Sequence, residues 1–281
     1  MFLSSRGGHP RLSRNCTIGF ETFPARRGLI EIRIYGNSKS LSSVAGLAED
    51  RWRKIVPQDG RFKNSRLQAA VLMKKHSQVA AFILAGGVSS RMGREKGLLE
   101  FGGEPLIVRT ARLIEPLVTE VTLVGPRERY AALGLRVISD LNIGRGEGME
   151  PVRTPLVGIA SALNATKMPW NLILACDLPY LTAAWLDWLL SRAVDSSAQI
   201  VMPRTSGGLE PLAAVYRREC AAPIAAALER GIRKVTDALA EFQMELLPEN
   251  DWGDLDPEGR VLRNMNAPSD YESARKWFET K

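Results

Sequence analysis

From Val79 onward, apolar runs alternate with amphipathic segments, and this alternation limits the chain to few folds. Residues 79–85, VAAFILA, are apolar throughout and are followed by two glycines. Such a run is typical of a strand buried on both faces of a parallel sheet. Later runs predict strands at residues 120–125, 135–140, 171–177, 198–203 and 212–216, with helices between most of them. The alternation predicts an α/β fold with a mostly parallel sheet and helices on both faces.

The last part of the chain is less regular and predicts mainly helices. They are expected at residues 221–232, 235–242 and 269–279, and a capping box from Ser269 to Glu272 would start the last one. In open α/β sheets, ligands bind at the carboxyl ends of the strands. We therefore expect the site where the first strand meets its glycines and where Asp140 and Asp177 end later strands.

The charge of the chain divides at about residue 78. Residues 1–78 carry 15 Lys and Arg against five Asp and Glu, whereas the remainder carries 23 against 26. We therefore predict two parts, a basic and poorly ordered N-terminal extension (1–72) and a catalytic domain (73–281). Within the extension, residues 28–36 predict one short strand with no evident partner. A basic arm would also suit nucleic acid or anionic lipid, but the acidic balance after residue 78 argues against nucleic-acid binding as the main function.

Histidine and cysteine usage excludes several chemistries. Both histidines, His9 and His76, precede residue 79, so Ser-His-Asp and Cys-His catalysis and His-ligated metals are excluded beyond it. The three cysteines lie far apart, which favours a reducing compartment, and we expect a cytoplasmic protein. We expect no membrane association, because no run of 18 apolar residues occurs and the N-terminus has no signal-type apolar region.

The segment LAGGVSSRMGREKGLLEFGGEPLI (84–107) carries the strongest chemical signal. Gly86 and Gly87 let the backbone approach a ligand, and exposed N–H groups in such a turn bind anions. Arg91 and Lys96 add positive charge to the same loop, which indicates phosphate binding. Neither a Walker A motif nor a dinucleotide-binding glycine fingerprint is present.

This segment resembles the LAGG-x-S-x-RMG-x-x-K signature of GT-A-like nucleotidyltransferases, and in particular the molybdenum cofactor guanylyltransferase family. Four further segments resemble the family in the same order: PLVGI (155–159), CDLPYL (176–181), EPLAAVY (210–216) and NMNAPSDY (264–271). The resemblance covers about residues 79–278. It implies a Rossmann-like three-layer sandwich of the GT-A-like type.

The resemblance also implies roles for single residues. Backbone atoms of Leu84, Ala85 and Gly86 would contact guanine and ribose, with Gly87 in the same loop. Catalysis would rest on Arg91, Lys96 and Asp177, with Lys96 holding the triphosphate.

The resemblance further implies a metal. Asp177 would bind Mg²⁺, and Asn266 would face the same ion or the acceptor. A carboxylate just past an apolar strand is costly to desolvate unless it is paired or metal-bound, which independently favours a metal at Asp177. Asp140 would lie beside the nucleotide, although an Asp that ends a strand is also a common turn residue.

The function implied is transfer of GMP from GTP to the Mo-bound molybdopterin cofactor, by a Mg²⁺-dependent transferase of molybdenum cofactor biosynthesis. Partners implied are GTP, molybdopterin, and proteins that insert molybdenum or mature molybdoenzymes. Alternatives are a cytidylyltransferase, another NTP:phosphate nucleotidyltransferase and a non-catalytic nucleotide-binding module. Cytidylyltransferases of this fold tend to carry Gln where this chain has Leu178, which favours GTP. The chain departs from the family pattern at Glu95, Gly125, Thr154 and Ala267, and in an insertion at residues 142–153.

Overall fold

The computed structural model describes residues 75–86, 95–142 and 154–280, together with five strands in the N-terminal part. The chain divides into two compact units, Met1–Lys74 and Lys75–Lys281. The described strands of each unit pair only within that unit. The expected boundary at residues 72 and 73 lies outside the described residues and stays a prediction.

The described part of the N-terminal unit consists of strands. Two short ones pair antiparallel, β1 (Arg11–Leu12) and β2 (Cys16–Thr17). Three longer ones form an antiparallel sheet in the order β3 (Gly19–Ala25), β4 (Leu29–Gly36) and β5 (Lys39–Ala48). The strand expected at residues 28–36 is β4, but it is paired on both sides rather than isolated.

The second unit is an α/β sandwich. Its described strands are β6 (His76–Leu84), β7 (Glu100–Phe101), β8 (Glu104–Pro105), β9 (Val118–Val124), β10 (Arg136–Ile138), β11 (Trp170–Ala175), β12 (Ile200–Thr205), β13 (Gly208–Leu209), β14 (Ala213–Arg217) and β15 (Met244–Pro248). Its described helices are α1 (Leu106–Ile114), α2 (Arg127–Tyr130), α3 (Pro155–Ala165), α4 (Ala183–Asp195), α5 (Ala221–Glu229), α6 (Val235–Ala238) and α7 (Pro268–Glu279). No helix among these residues combines the length and apolar character needed to cross a membrane.

The central sheet of the described residues confirms the mostly parallel prediction and adds two antiparallel strands, β13 and β14. Its order is β10-β9-β6-β11-β14-β12-β13, with β15 on the other side of β12. The four strands from β10 to β11 are parallel, as is the pair of β12 and β15. β14 runs antiparallel between β11 and β12. The chain therefore does not place its strands in sequence order, and β15 was not predicted.

Helices cover both faces of the sheet because β6 is apolar at every central position. Ala80 and Phe82 point into a cluster with α3 and α5. Successive side chains of a strand point to opposite faces, so Ala81 and Ile83 face the side where α1 and α4 pack. Trp185 on α4 is fully buried, as expected for a core residue, and lies against Trp252.

Several helix ends differ from the predictions, and the helix expected at 221–232 ends at Glu229. α7 begins at Pro268, so Ser269 is already the second helical residue and does not form the predicted capping box. Instead the Asp270 carboxylate accepts hydrogen bonds of 2.9 Å from the N–H groups of Asn266 and Ala267. The helix expected at 235–242 ends at Ala238.

Candidate active site

Three parallel strands end together at one edge of the sheet and form the floor of a cleft. Leu84 of β6 lies in register with Val124 of β9 and with Ala175 of β11. Beyond them, Ala85 donates a backbone hydrogen bond of 2.8 Å to Val124, and Cys176 donates one of 3.2 Å to Leu84. The residues that follow the strands are thereby held next to one another, as expected for the carboxyl edge of a parallel sheet.

The cleft has a volume of about 230 Å³ and collects most of the predicted site residues. Six of them line it: Leu84, Ala85, Gly86, Lys96, Asp140 and Asp177. Gly87 and Arg91 lie outside the described residues. The predicted roles of the described residues stay predictions, but their side chains and backbone meet at one place in the fold.

Lys96 connects two segments that are far apart in the sequence. Its Nζ lies 2.8 Å from Asp177 Oδ2 and 2.8 Å from Asn266 Oδ1. Met265 donates a backbone hydrogen bond of 3.0 Å to the carbonyl of Asp177, which brings the closing segment beside the acidic one. The side chains of Lys96 and Asp177 are 20% and 16% exposed, so this ion pair is largely shielded from water yet reachable from the cleft.

Two glycines fit the backbone tightly where the strands end. A Cβ at Gly86 would lie 2.9 Å from Asp140 Oδ2, so the Asp140 carboxylate rests against this backbone. A Cβ at Gly125 would lie 3.1 Å from the carbonyl carbon of Ala85. Gly125 departs from the family pattern, and this close approach is a physical reason for a glycine there.

Cys176 lines the cleft but is not placed to act as a nucleophile. Burial, and after it the charge of Asp177, raises the pKa of this thiol to about 12. The thiol is therefore protonated at neutral pH, and the thiolate is the nucleophilic form. A protonated, buried cysteine acts as a small apolar packing residue.

A second group of polar side chains at the cleft was not predicted as part of the site. Tyr130 is 2% exposed, and its hydroxyl lies 2.8 Å from the Ala85 carbonyl and 3.0 Å from Glu95 Oε2. Arg129 forms an ion pair with the other oxygen of Glu95. The sequence predicts helices between most of the strands but assigns no role to these side chains. The available signal was a tyrosine close behind a strand that ends at the ligand-binding edge.

His76 lies at the start of β6, at the end of that strand opposite the cleft. It is 4% exposed, and its Nε2 lies 2.8 Å from Asp187 Oδ1 on α4. This histidine belongs to the second unit but is far from the cleft. The chemistry of the cleft therefore has carboxylates, lysine, tyrosine and backbone groups to draw on.

Comparisons with known proteins identify relatives of this chain. The MobA-like NTP transferase domain matches residues 81–243. A probable molybdenum cofactor guanylyltransferase of Synechococcus elongatus is 35% identical over 199 residues, which are 69% of this chain and 96% of that protein. The molybdenum cofactor guanylyltransferase of Pseudomonas aeruginosa is 35% identical over 189 residues, or 66% of this chain and 89% of that protein.

Solved structures share the fold. Molybdopterin-guanine dinucleotide biosynthesis protein A from Archaeoglobus fulgidus superposes with a TM-score of 0.61 at 24% identity, covering 72% of this chain and all of that one. A 2-C-methyl-D-erythritol 4-phosphate cytidylyltransferase from Thermus thermophilus gives a TM-score of 0.52 at 17% identity, covering 72% of this chain and 98% of that one. With the predicted GT-A-like fold confirmed and most of the second unit matched, the chain belongs to the MobA-like NTP transferase family.

Proposed function

We propose that this chain transfers GMP from GTP to the phosphate of the Mo-bound molybdopterin cofactor, forming the guanine dinucleotide cofactor and releasing pyrophosphate. One observation carries the proposal: the ammonium of Lys96 contacts Asp177 and Asn266, and Lys96, Asp177 and Gly86 line the same cleft. A cation, a carboxylate and exposed backbone groups at one strand edge are what binding of a triphosphate with its counter-ion requires.

The oxygen atoms around Lys96 fit a Mg²⁺ ion. Asp177 Oδ2 and Asn266 Oδ1 both converge on a single positive charge, and hard oxygen donors are the ligands that Mg²⁺ prefers. Within the described residues, no three His, Cys, Asp or Glu side chains are placed to hold a metal. Mg²⁺ at NTP sites needs only one or two carboxylates, since phosphate oxygens and water complete its shell. When bound, it would neutralise charge on the phosphates and on the leaving pyrophosphate.

The reaction needs no general base from the protein. The acceptor is a phosphate monoester, whose second pKa is about 6, so it is largely ionised at neutral pH. One of its oxygens attacks the α-phosphorus of GTP, and the bond from that phosphorus to the β-phosphate oxygen breaks. The protein therefore has to align the two phosphates and stabilise negative charge. Lys96 does the second, and the backbone at Ala85 and Gly86 does the first.

The cysteines indicate a location for the protein, and the proposed product indicates further partners. Cys176 and Cys220 are free thiols, which suits the reducing cytoplasm. The guanine dinucleotide product has to reach the enzymes that use it, so we include proteins that insert molybdenum or mature molybdoenzymes among the partners.

Nucleotide-dependent stabilisation tests the choice of donor. The protein is heated with GTP, CTP, ATP or UTP, each with Mg²⁺. At about 100 times the Kd, a ligand stabilises the native state by roughly 2.7 kcal/mol, which is about 5–10 °C in Tm for a domain of this size. We expect this rise with GTP and a much smaller one with the other three. A larger rise with CTP would indicate a cytidylyltransferase, and equal rises would contradict a GTP-specific site.

A further inference from the structure

Tyr130 links the two sides of the nucleotide cleft through one hydroxyl group. It ends α2, and its oxygen lies between the Ala85 carbonyl at 2.8 Å and Glu95 Oε2 at 3.0 Å. Ala85 precedes Gly86, and Glu95 precedes Lys96. The hydroxyl therefore contacts Ala85, in the backbone segment expected to hold guanine and ribose, and Glu95, the residue before Lys96. Neither is close to Tyr130 in the sequence.

The ring of Tyr130 has little room to move. A Cβ at Gly125 would lie 3.3 Å from Tyr130 Cε2 and 3.1 Å from the carbonyl carbon of Ala85. The backbone after β9 thus lies against both the ring and the backbone after β6. Packing at this density resists small displacements, so the position of the hydroxyl is fixed by the fold.

The hydroxyl is a donor under all ordinary conditions. Burial, together with the negative charge of Glu95, raises the pKa of Tyr130 above its usual value, and the phenol keeps its proton. That proton is shared between two acceptors, the Ala85 carbonyl and Glu95 Oε2. Both remain within hydrogen-bonding distance, and Arg129 holds the other oxygen of Glu95.

Glu95 would otherwise oppose the proposed function. It is a carboxylate in a cleft that we assign to a triphosphate, and like charges at short range repel. Its ion pair with Arg129 compensates this charge, and its contacts with Arg129 and Tyr130 direct the carboxylate toward α2. The position of Lys96, the next residue, depends on where Glu95 is held.

We propose that Tyr130 is a positioning residue for the donor nucleotide, which sets the separation between the Ala85–Gly86 backbone and Lys96 by holding Ala85 and Glu95 together. This inference rests on the proposed function and deepens it. Tyr130 does not touch the reacting atoms. It acts through the Ala85–Gly86 backbone and through Glu95, which precedes Lys96.

Tyr130→Phe removes the hydroxyl and keeps the ring. We expect the Kd for GTP with Mg²⁺, measured by calorimetry, to rise about tenfold, the factor that follows from loss of one buried hydrogen bond with an unsatisfied partner. In a Lys96→Met background, Tyr130→Phe should raise the Kd threefold or less, because the ammonium that Tyr130 positions is gone. Thr119→Val is the control. It removes a hydroxyl that donates 3.0 Å to the Ser77 carbonyl, between the same two strands but at their other end, and should leave the Kd unchanged.

Glu95→Ala is a second test, because charge and position predict opposite changes in GTP affinity. If only charge mattered, loss of this carboxylate would tighten GTP binding; if position matters, binding weakens. Three results would each overturn the positioning role. They are a lower melting temperature of Tyr130→Phe with an unchanged Kd, an equal effect of Tyr130→Phe on the Kd with and without Lys96, and tighter GTP binding by Glu95→Ala. Wild-type protein that binds no nucleotide would overturn the proposed function, and this inference with it.

Discussion

Lys96 is the residue on which the oxygen atoms of the cleft converge. In the structure its ammonium is shared by Asp177 and Asn266, each at 2.8 Å. A Mg²⁺ ion at these oxygens would repel the ammonium, and the nearest compensating charge would then be a phosphate of the nucleotide. The ion pair of the free protein is therefore consistent with a lysine that changes partners when GTP and Mg²⁺ bind.

Lys96→Met tests this assignment. Charge-assisted hydrogen bonds contribute about 1.5–3 kcal/mol, so we expect GTP affinity to fall by roughly 10- to 150-fold. Turnover should fall as well, because the charge acts in the ground and transition states alike. Lys234→Met is the matched control, since Lys234 is 74% exposed and forms a surface ion pair with Asp237 at the start of α6. Unchanged affinity and turnover in Lys96→Met would contradict the phosphate role.

Sequence reasoning reached some of these residues and missed others for physical reasons. Lys96 and Asp177 stand in motifs, so their presence at one cleft could be predicted. The contact between Lys96 and Asn266 joins residues 170 positions apart, and no local pattern encodes it. Tyr130 was missed because its role depends on a hydroxyl reaching the backbone carbonyl of Ala85, just past β6, which neither periodicity nor composition reveals.

At the scale of elements, the start of α7 decides where Asn266 lies. Proline suits the first helical position because its fixed φ matches the helix and its missing N–H would be unpaired there. Pro268 therefore makes Ala267 the N-cap, a residue without a capping side chain. Asp270 compensates by accepting from the N–H groups of Asn266 and Ala267. The predicted box from Ser269 to Glu272 was wrong because it ignored this preference of proline.

Asp270→Asn should give a pH-dependent loss of stability. The two backbone hydrogen bonds hold the pKa of Asp270 below its ordinary value of 3.8. A depressed carboxyl pKa stabilises the folded state above the unfolded pKa, and that stabilisation is lost as pH falls through the folded pKa.

We expect urea unfolding at pH 7 to show a deficit of about 1 kcal/mol for the variant, which is unchanged at pH 5 and shrinks below about pH 4. Asp237→Asn, at an exposed surface pair, should show a smaller deficit. A deficit that grows toward low pH would contradict the capping role of Asp270.

For the central sheet, the strands could be predicted from the sequence but their order could not. Apolar runs at residues 79–85, 171–177 and 198–203 predicted strands, and all three exist. Their order could not be predicted, because β14 enters antiparallel between β11 and β12. The alternation of strands and helices identifies parallel units but does not report a strand that returns to pair with an earlier one.

At the scale of the whole molecule, the chain contains two compact units, and the described cleft belongs to the second. We expect a chain that begins at Met73 to unfold in one cooperative transition and to bind GTP with the affinity of the full chain, as measured by urea unfolding and calorimetry. The reason is that each described strand of the second unit pairs within that unit. Loss of cooperative unfolding in the shortened chain would show that residues 1–72 complete the core.

The central claim is that the cleft transfers a nucleotidyl group with a metal at Asp177, and pyrophosphate release measures it most directly. With GTP, Mg²⁺ and Mo-bound molybdopterin supplied, wild-type protein should release pyrophosphate. Asp177→Asn keeps the shape of the side chain but removes its charge, so it should fold, bind some GTP and lose about a hundredfold or more of the rate. Asp195→Asn, the same change at an exposed position at the end of α4, should release pyrophosphate normally. A near-wild-type rate from Asp177→Asn would contradict the metal assignment, and wild-type protein that binds GTP yet releases no pyrophosphate would contradict the enzyme itself.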